Sequence, residues 1–142
     1  MIRMIRYKAR IQKDGRGYVV SFPDLPGCLS AGRTLPEAKR NAVEALDLYL
    51  EEANDPRWQL PASRDLRGRD YHWVTASPDI AIPLMIREAR RAKKISQQKL
   101  AELLEMKLQT YQKLEYPRKS NPTAKTLVHI ASVLEESFEI CA

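Results

Sequence analysis

Two cysteines, two histidines and five glycines are all that the 142 residues provide. Cys28 and Cys141 stand near opposite ends of the chain, outside any CxxC or CxxH neighbourhood. That argues against a disulfide framework or a zinc site, and both are expected to be small buried apolar residues. No apolar run approaches the ~20 residues of a membrane span. The start, Met1-Ile2-Arg3-Met4-Ile5-Arg6-Tyr7, has no apolar signal core and no small-residue cleavage site. A cytoplasmic chain with no membrane partner, no metal and no cofactor is therefore expected. Hydrophobic residues make up 44%, enough for globular cores and too many for a disordered chain.

Acidic charge is also in deficit. The formal net charge is +6. Residues 80–142 carry eleven Lys/Arg against seven Asp/Glu, and residues 1–79 carry thirteen against eleven. The shorter C-terminal part is thus the more basic, a balance that favours polyanionic partners.

Periodicity divides the chain in two. Residues 4–11 alternate in character and read as a strand. Lys13-Asp14-Gly15-Arg16-Gly17 reads as a hairpin turn, and Tyr18–Phe22, β-branched and aromatic, as the return strand. Pro23-Asp24-Leu25-Pro26-Gly27 interrupts the ladder, and a short third strand is expected at 28–32. Thr34-Leu35-Pro36-Glu37 is a helix start, with a reciprocal capping box between Thr34 and Glu37 and Pro36 in the first turn. Leu35, Ala38, Ala42, Ala45, Leu46, Tyr49 and Leu50 make an apolar stripe, so the helix is expected to run to about Ala53 and to cover the sheet. Residues 54–70, rich in Pro, Asp and Arg, read as a long surface loop. Tyr71–Thr75 reads as a fourth strand, with His72 structural.

The C-terminal part reads as helices alone. Pro83 is expected in the first turn of a helix ending near Lys93 or Lys94, where Arg90, Arg91, Lys93 and Lys94 crowd the C-terminus. That cluster suits either a solvated helix end or phosphate contact. Ser96 is an N-cap for a helix over 97–104, followed by a turn at Glu105-Met106 and a second helix over 108–115. Pro117 follows that helix, Arg118-Lys119-Ser120-Asn121 forms a basic loop, and Asn121-Pro122 is expected to cap a last helix. Two short helices joined by a tight turn make a helix-turn-helix. Leu100, Ala101 and Leu104 would pack against Tyr111 and Leu114, leaving Gln109, Thr110, Gln112 and Lys113 outward. Glutamine suits adenine, lysine guanine, and threonine a base or methyl group in the major groove. Gln97 is expected at a phosphate, and Lys107, Arg118 and Lys119 complete the candidate DNA-binding set. The competing reading is a packed bundle with a polar solvent face.

From Ser96-Gln97-Gln98-Lys99-Leu100-Ala101 through Leu114-Glu115 and Asn121-Pro122 to Ile130-Ala131-Ser132-Val133-Leu134, the segment resembles the Cro/lambda-repressor (Xre-type) helix-turn-helix family. It departs from that pattern at Glu105 and Pro117, where the family usually has glycine. A second resemblance covers the N-terminal part. Tyr18-x-Val20-Ser21-Phe22-Pro23-Asp24-Leu25-Pro26-Gly27-Cys28, then Gly32, Thr34, Glu37-Ala38, Asn41-Ala42 and Ala45, resembles the HicB antitoxin family.

The resemblance implies an α+β domain over 1–76, a small antiparallel sheet with a helix like a truncated ribonuclease H. An all-α DNA-binding domain over 77–142 would follow. It also implies an antitoxin that binds a HicA-like toxin, a small basic ribonuclease, and represses its own operon by binding double-stranded operator DNA. A homodimer or higher homo-oligomer would place two recognition helices about 34 Å apart, with the final helix and the tail Phe138-Glu139-Ile140-Cys141 as donors of apolar surface. Phe22, Pro23, Asp24, Leu25 and Pro26 are the candidate toxin-binding residues. The same five residues suit an alternative role, shaping the fold.

Catalysis is not expected. A ribonuclease H site gathers several carboxylates on divalent metals, typically one from the first strand, and residues 4–11 contain no acid. Glu44 and Asp47 read as solvated helix acids. The alternative function is a ligand-responsive repressor without a toxin, with a metal-dependent nuclease behind it.

Overall fold

Strict alternation builds the first element. β1 (Arg6–Asp14) buries Tyr7, Ala9 and Ile11, whereas Arg6 and Arg10 on its other side are exposed. The computed structural model describes residues 2–52, 55 and 57–139; the expectations about Ala53, Ile140 and Cys141 fall outside them. β1 starts two residues later than expected, at Arg6, and continues to Asp14, because Gln12, Lys13 and Asp14 pair with Val19, Tyr18 and Gly17. Only Gly15 and Arg16 remain as the turn, and Gly15 takes the positive φ (60°) that this two-residue connection needs.

β2 (Gly17–Ser21), β3 (Leu29–Gly32) and β4 (Tyr71–Thr75) complete an antiparallel sheet in the order β3-β2-β1-β4. α1 (Leu35–Glu51) covers one face through Ala38, Ala42, Leu46 and Leu50. Its approach is close. A Cβ on Gly32 would lie 2.4 Å from the Ala38 backbone nitrogen, so glycine alone fits there. Thr34 caps α1 by accepting from the Glu37 amide at 3.2 Å. The reciprocal half of the capping box does not form, since the Glu37 carboxylate pairs with Arg33 at 3.5 Å.

Residues 57–70 have no regular structure, yet they are fastened along the sheet. The Tyr7 hydroxyl donates to Pro61 O (2.7 Å), Ser63 Oγ to Arg6 O (2.7 Å) and the Ile11 amide to Asp70 O (2.8 Å). The loop is a strap rather than a free excursion.

The chain divides into two compact units, Arg6–Ser77 and the remainder, with Ile2–Ile5 grouped with the C-terminal unit. There Ile2 forms a parallel bridge to Phe138, and both pack against the helical core. Phe138 is therefore partly buried against the core of its own unit.

α2 (Pro78–Ala92) begins five residues before the expected Pro83, which lies inside the helix. An internal proline removes the bond to the carbonyl four residues back. That carbonyl, Asp79 O, accepts instead from the Arg118 amide at 2.9 Å. α3 (Gln97–Leu103), α4 (Leu108–Leu114) and α5 (Ala124–Leu134) follow. Their core is Ile86, Ala89, Leu100, Ala101, Leu104, Tyr111, Leu114, Ile130 and Leu134. Thr123, not Asn121, caps α5, accepting from the Thr126 amide at 3.1 Å.

α3 closes in a Schellman turn: Met106 N donates to Ala101 O (2.9 Å) and Glu105 N to Glu102 O (3.0 Å). Glu105 sits at φ 57°, left-handed backbone that costs a non-glycine residue roughly 1 kcal/mol. Glu105→Gly should therefore raise stability by up to about 1 kcal/mol, several degrees in Tm for a unit of this size. A thermal melt of the full chain checks it; an unchanged or lower Tm would mean that the turn is not strained.

Candidate nucleic-acid interface and partner-binding domain

Ser96 Oγ accepts from the Lys99 amide at 3.0 Å and starts α3. Leu100 and Ala101 on α3 and Tyr111 and Leu114 on α4 are buried. Gln109, Thr110, Gln112 and Lys113 are left exposed on α4, Lys107 is exposed at its start, and Arg118 and Lys119 are exposed in the loop beyond it. The Lys119 ammonium lies 4.8 Å from the Tyr116 ring centroid. Seven of the eight expected DNA-facing residues are thus on the surface, on or beside one helix.

Gln97 is different. It is half-buried; its amide donates to Glu115 Oε1 (3.2 Å) and accepts from Gln112 Nε2 (3.4 Å). Its side chain is engaged within the unit, where it steers Gln112.

Glu115 is the hub of this unit, and its central place went unread in the sequence. Its side chain is 4% exposed and that of Arg90 12%. Arg90 grips it with two bonds, Nε to Oε2 (2.7 Å) and Nη2 to Oε1 (3.0 Å), and donates a third to Ile95 O (2.8 Å). The Tyr111 hydroxyl donates to Glu115 Oε2. The hydrogen bond from Arg90 to Glu115 holds the guanidinium pKa above its ordinary value, and burial together with Glu115 pushes that of the Tyr111 hydroxyl up. Arg90 therefore belongs neither to a solvated helix end nor to a phosphate site. It ties α2 to α4. The sequence signal was Leu114-Glu115, two residues of the repressor pattern, but their partner lies 25 residues upstream.

In the N-terminal unit the Phe-Pro-Asp-Leu-Pro-Gly run folds inward. Phe22 and Leu25 are buried, with Leu25 N bonded to Phe22 O (3.0 Å) and Cys28 N to Leu25 O (3.0 Å). Asp24, its side chain 6% exposed, is held by Arg64 through the backbone amide (2.8 Å) and Nε (2.6 Å). A partner contact through Phe22, Asp24 and Leu25 is thus closed off in the folded domain. Pro23 and Pro26 are exposed.

Beside them is a cleft of about 280 Å³, lined by residues that include Leu29, Leu48, Tyr49 and Glu52. Leu29 is 68% exposed and Leu48 57%. Neither residue stood out in the sequence, since Leu48 lies off the helix stripe. Cys28, buried at this cleft, has its thiol pushed up to about 11 by burial. Asp47, expected in solvent, is buried and accepts from the Ser77 amide at 2.9 Å. It is a structural acceptor.

Two family models match the chain. Residues 7–80 match the HicB-like antitoxin of bacterial toxin–antitoxin systems, and residues 86–140 match a helix-turn-helix. "Antitoxin HicB 2" of Photorhabdus laumondii is 30% identical over 118 residues, covering 80% of each chain. The chain belongs to the HicB-like antitoxin family. It carries the antitoxin domain together with a helix-turn-helix DNA-binding domain. An uncharacterised protein of Haemophilus phage HP1 is 47% identical over 60 residues, 42% of this chain and 45% of its own. The chain thus spans about half the length of that relative. The crystal structure of antitoxin HicB3 aligns with 70% of this chain and 95% of its own, at 22% identity and a TM-score of 0.41. Among the described residues no helix is long and apolar enough to cross a membrane.

Proposed function

We propose that this HicB-like chain neutralises a HicA-type ribonuclease toxin through its N-terminal domain, residues 1–76. Residues 77–142 repress its own operon, and neither domain catalyses a reaction. The observation that carries the DNA half is the outward row Gln109, Thr110, Gln112 and Lys113 on a helix whose inward side is fixed by Glu115. These side chains read bases in the major groove, while Lys107, Arg118 and Lys119 meet phosphates and set the register. A homodimer or higher homo-oligomer supplies two such helices about 34 Å apart. Val128, 69% exposed on α5, is an apolar group available for that contact.

The toxin contact is built from Pro23, Pro26, Leu29, Leu48 and Tyr49, with Glu52 facing a basic toxin. Exposed apolar residues around a cleft act as anchors, and opposite charge at the rim speeds encounter. The toxin's active site is blocked sterically.

A Leu29→Asp/Leu48→Glu variant tests this half. Both side chains are exposed, so the fold survives, and inhibition of the toxin should weaken by roughly 100-fold, the loss of two anchors at about 1–2 kcal/mol each. Unchanged inhibition by a folded variant would remove the cleft from the toxin contact.

A further inference from the structure

α1 covers only one face of the sheet. The register sets Arg6 opposite Thr75, Lys8 opposite Trp73 and Arg10 opposite Tyr71, and residues directly opposite each other point to the same side. These six therefore share the open face. Arg6, Arg10 and Trp73 are exposed there, with Lys8 and Tyr71 half-buried.

The cations cluster on an aromatic. The Arg6 guanidinium lies 4.2 Å from the Trp73 ring centroid and the Lys8 ammonium 4.8 Å. A cleft of about 530 Å³ runs along β4, lined by Lys8, Lys39, His72 and Trp73 among others. Arg6, Lys8 and Arg10 make the open face itself positive. The acids at this face are already engaged: Asp65 by Lys8 (3.4 Å) and Arg67 (3.2 Å), and Asp70 by Gln12 (3.3 Å).

A second copy would bring like charges together, and a basic toxin would be repelled. The occupant is anionic. Cations on alternate residues of a strand recur about every 6.8 Å, a row that an extended phosphodiester backbone can follow. The rings offer stacking surface only to bases that are not already paired.

We propose that this open sheet face binds single-stranded nucleic acid, with Arg6 and Arg10 on phosphates, Lys8 held between Asp65 and Trp73, and Trp73 and Tyr71 against bases. The site is separate from α4 and from the Leu29–Leu48 cleft, and it does not rest on either being functional.

The chain's two tryptophans, Trp58 and Trp73, both lie in the N-terminal unit, so their fluorescence reports on that unit alone. Full-length Trp58→Phe protein is titrated with a 12-nucleotide single-stranded RNA, the same sequence as DNA, and poly-glutamate. Saturable quenching of Trp73 by RNA or DNA is expected, and the tighter of the two identifies the natural source. Arg6→Glu/Arg10→Glu should weaken binding at least about 10-fold and lower the salt slope by roughly 1.4, two phosphate contacts on a single strand. Gln109→Ala/Gln112→Ala should leave it unchanged. No quenching, quenching indifferent to Arg6 and Arg10, or equal binding of poly-glutamate would each overturn the proposal.

Discussion

Glu115→Ala should destabilise the helix-turn-helix unit by about 3–5 kcal/mol, the usual cost of breaking a buried ion pair by removing one partner. The substitution leaves the Arg90 guanidinium, 12% exposed, without a counter-charge, and the Tyr111 hydroxyl and Gln97 amide without their shared acceptor. A globular unit holds only about 0.05–0.15 kcal/mol per residue, so such a loss removes much of the stability of a unit this small. Urea melts followed by circular dichroism should show the helical transition moved far down in denaturant. Glu115→Gln keeps the shape and part of the hydrogen bonding, and should fall between wild type and alanine. Replacing Arg90 and Glu115 together by well-packed apolar residues should recover most of the loss, because an apolar pair is often as stable as a buried ion pair. A cost below about 1 kcal/mol for the alanine variant would mean that Glu115 does not organise the unit.

Gln109→Ala/Gln112→Ala should reduce operator affinity by roughly 30- to 20,000-fold at unchanged Tm, since each bidentate base contact supplies about 1–3 kcal/mol of discrimination. The fold does not depend on these exposed side chains; the proposed base readout does. Binding to unrelated duplex should fall far less, because non-specific affinity comes from phosphate contacts. Lys119→Ala is the contrasting case. It should weaken specific and unrelated DNA alike and lower the salt slope by about 1. Gel-shift titrations at three salt concentrations separate the two patterns. Equal loss on specific and unrelated DNA for the glutamine pair would put α4 outside the major groove.

Elements governed by local chemistry were legible in the sequence. Thr34 and Ser96 cap the helices that follow them, Tyr71–Thr75 is the fourth strand, and the turn at Glu105 forms despite the missing glycine. What stayed hidden depends on partners distant in the chain. Pro83 reads as a helix start until Arg118, 35 residues on, supplies a donor for the Asp79 carbonyl. Arg90 reads as a solvated cation until Glu115 folds against it. Asp24 reads as a partner contact until Arg64, on the strap, takes its carboxylate.

The candidate sites divide the same way. The outward row on α4 follows from helical period, so its residues were found by spacing. Phe22 and Leu25 are buried because a Pro-rich turn with two large apolar residues can satisfy them only by turning them inward, which leaves Leu29 and Leu48 as the exposed apolar residues nearby. Which face of the sheet stays open could not be known until the register was fixed. A slip of one residue would exchange Arg6, Lys8 and Arg10 for Tyr7, Ala9 and Ile11.

The most direct test of the antitoxin reading is a ribonuclease assay. The full chain is titrated into a small basic HicA-type ribonuclease, with RNA cleavage as the readout. Stoichiometric loss of cleavage, with the two proteins eluting together, is the predicted result. Undiminished cleavage at saturating amounts of the folded chain would contradict the antitoxin reading and leave a DNA-binding regulator without a toxin.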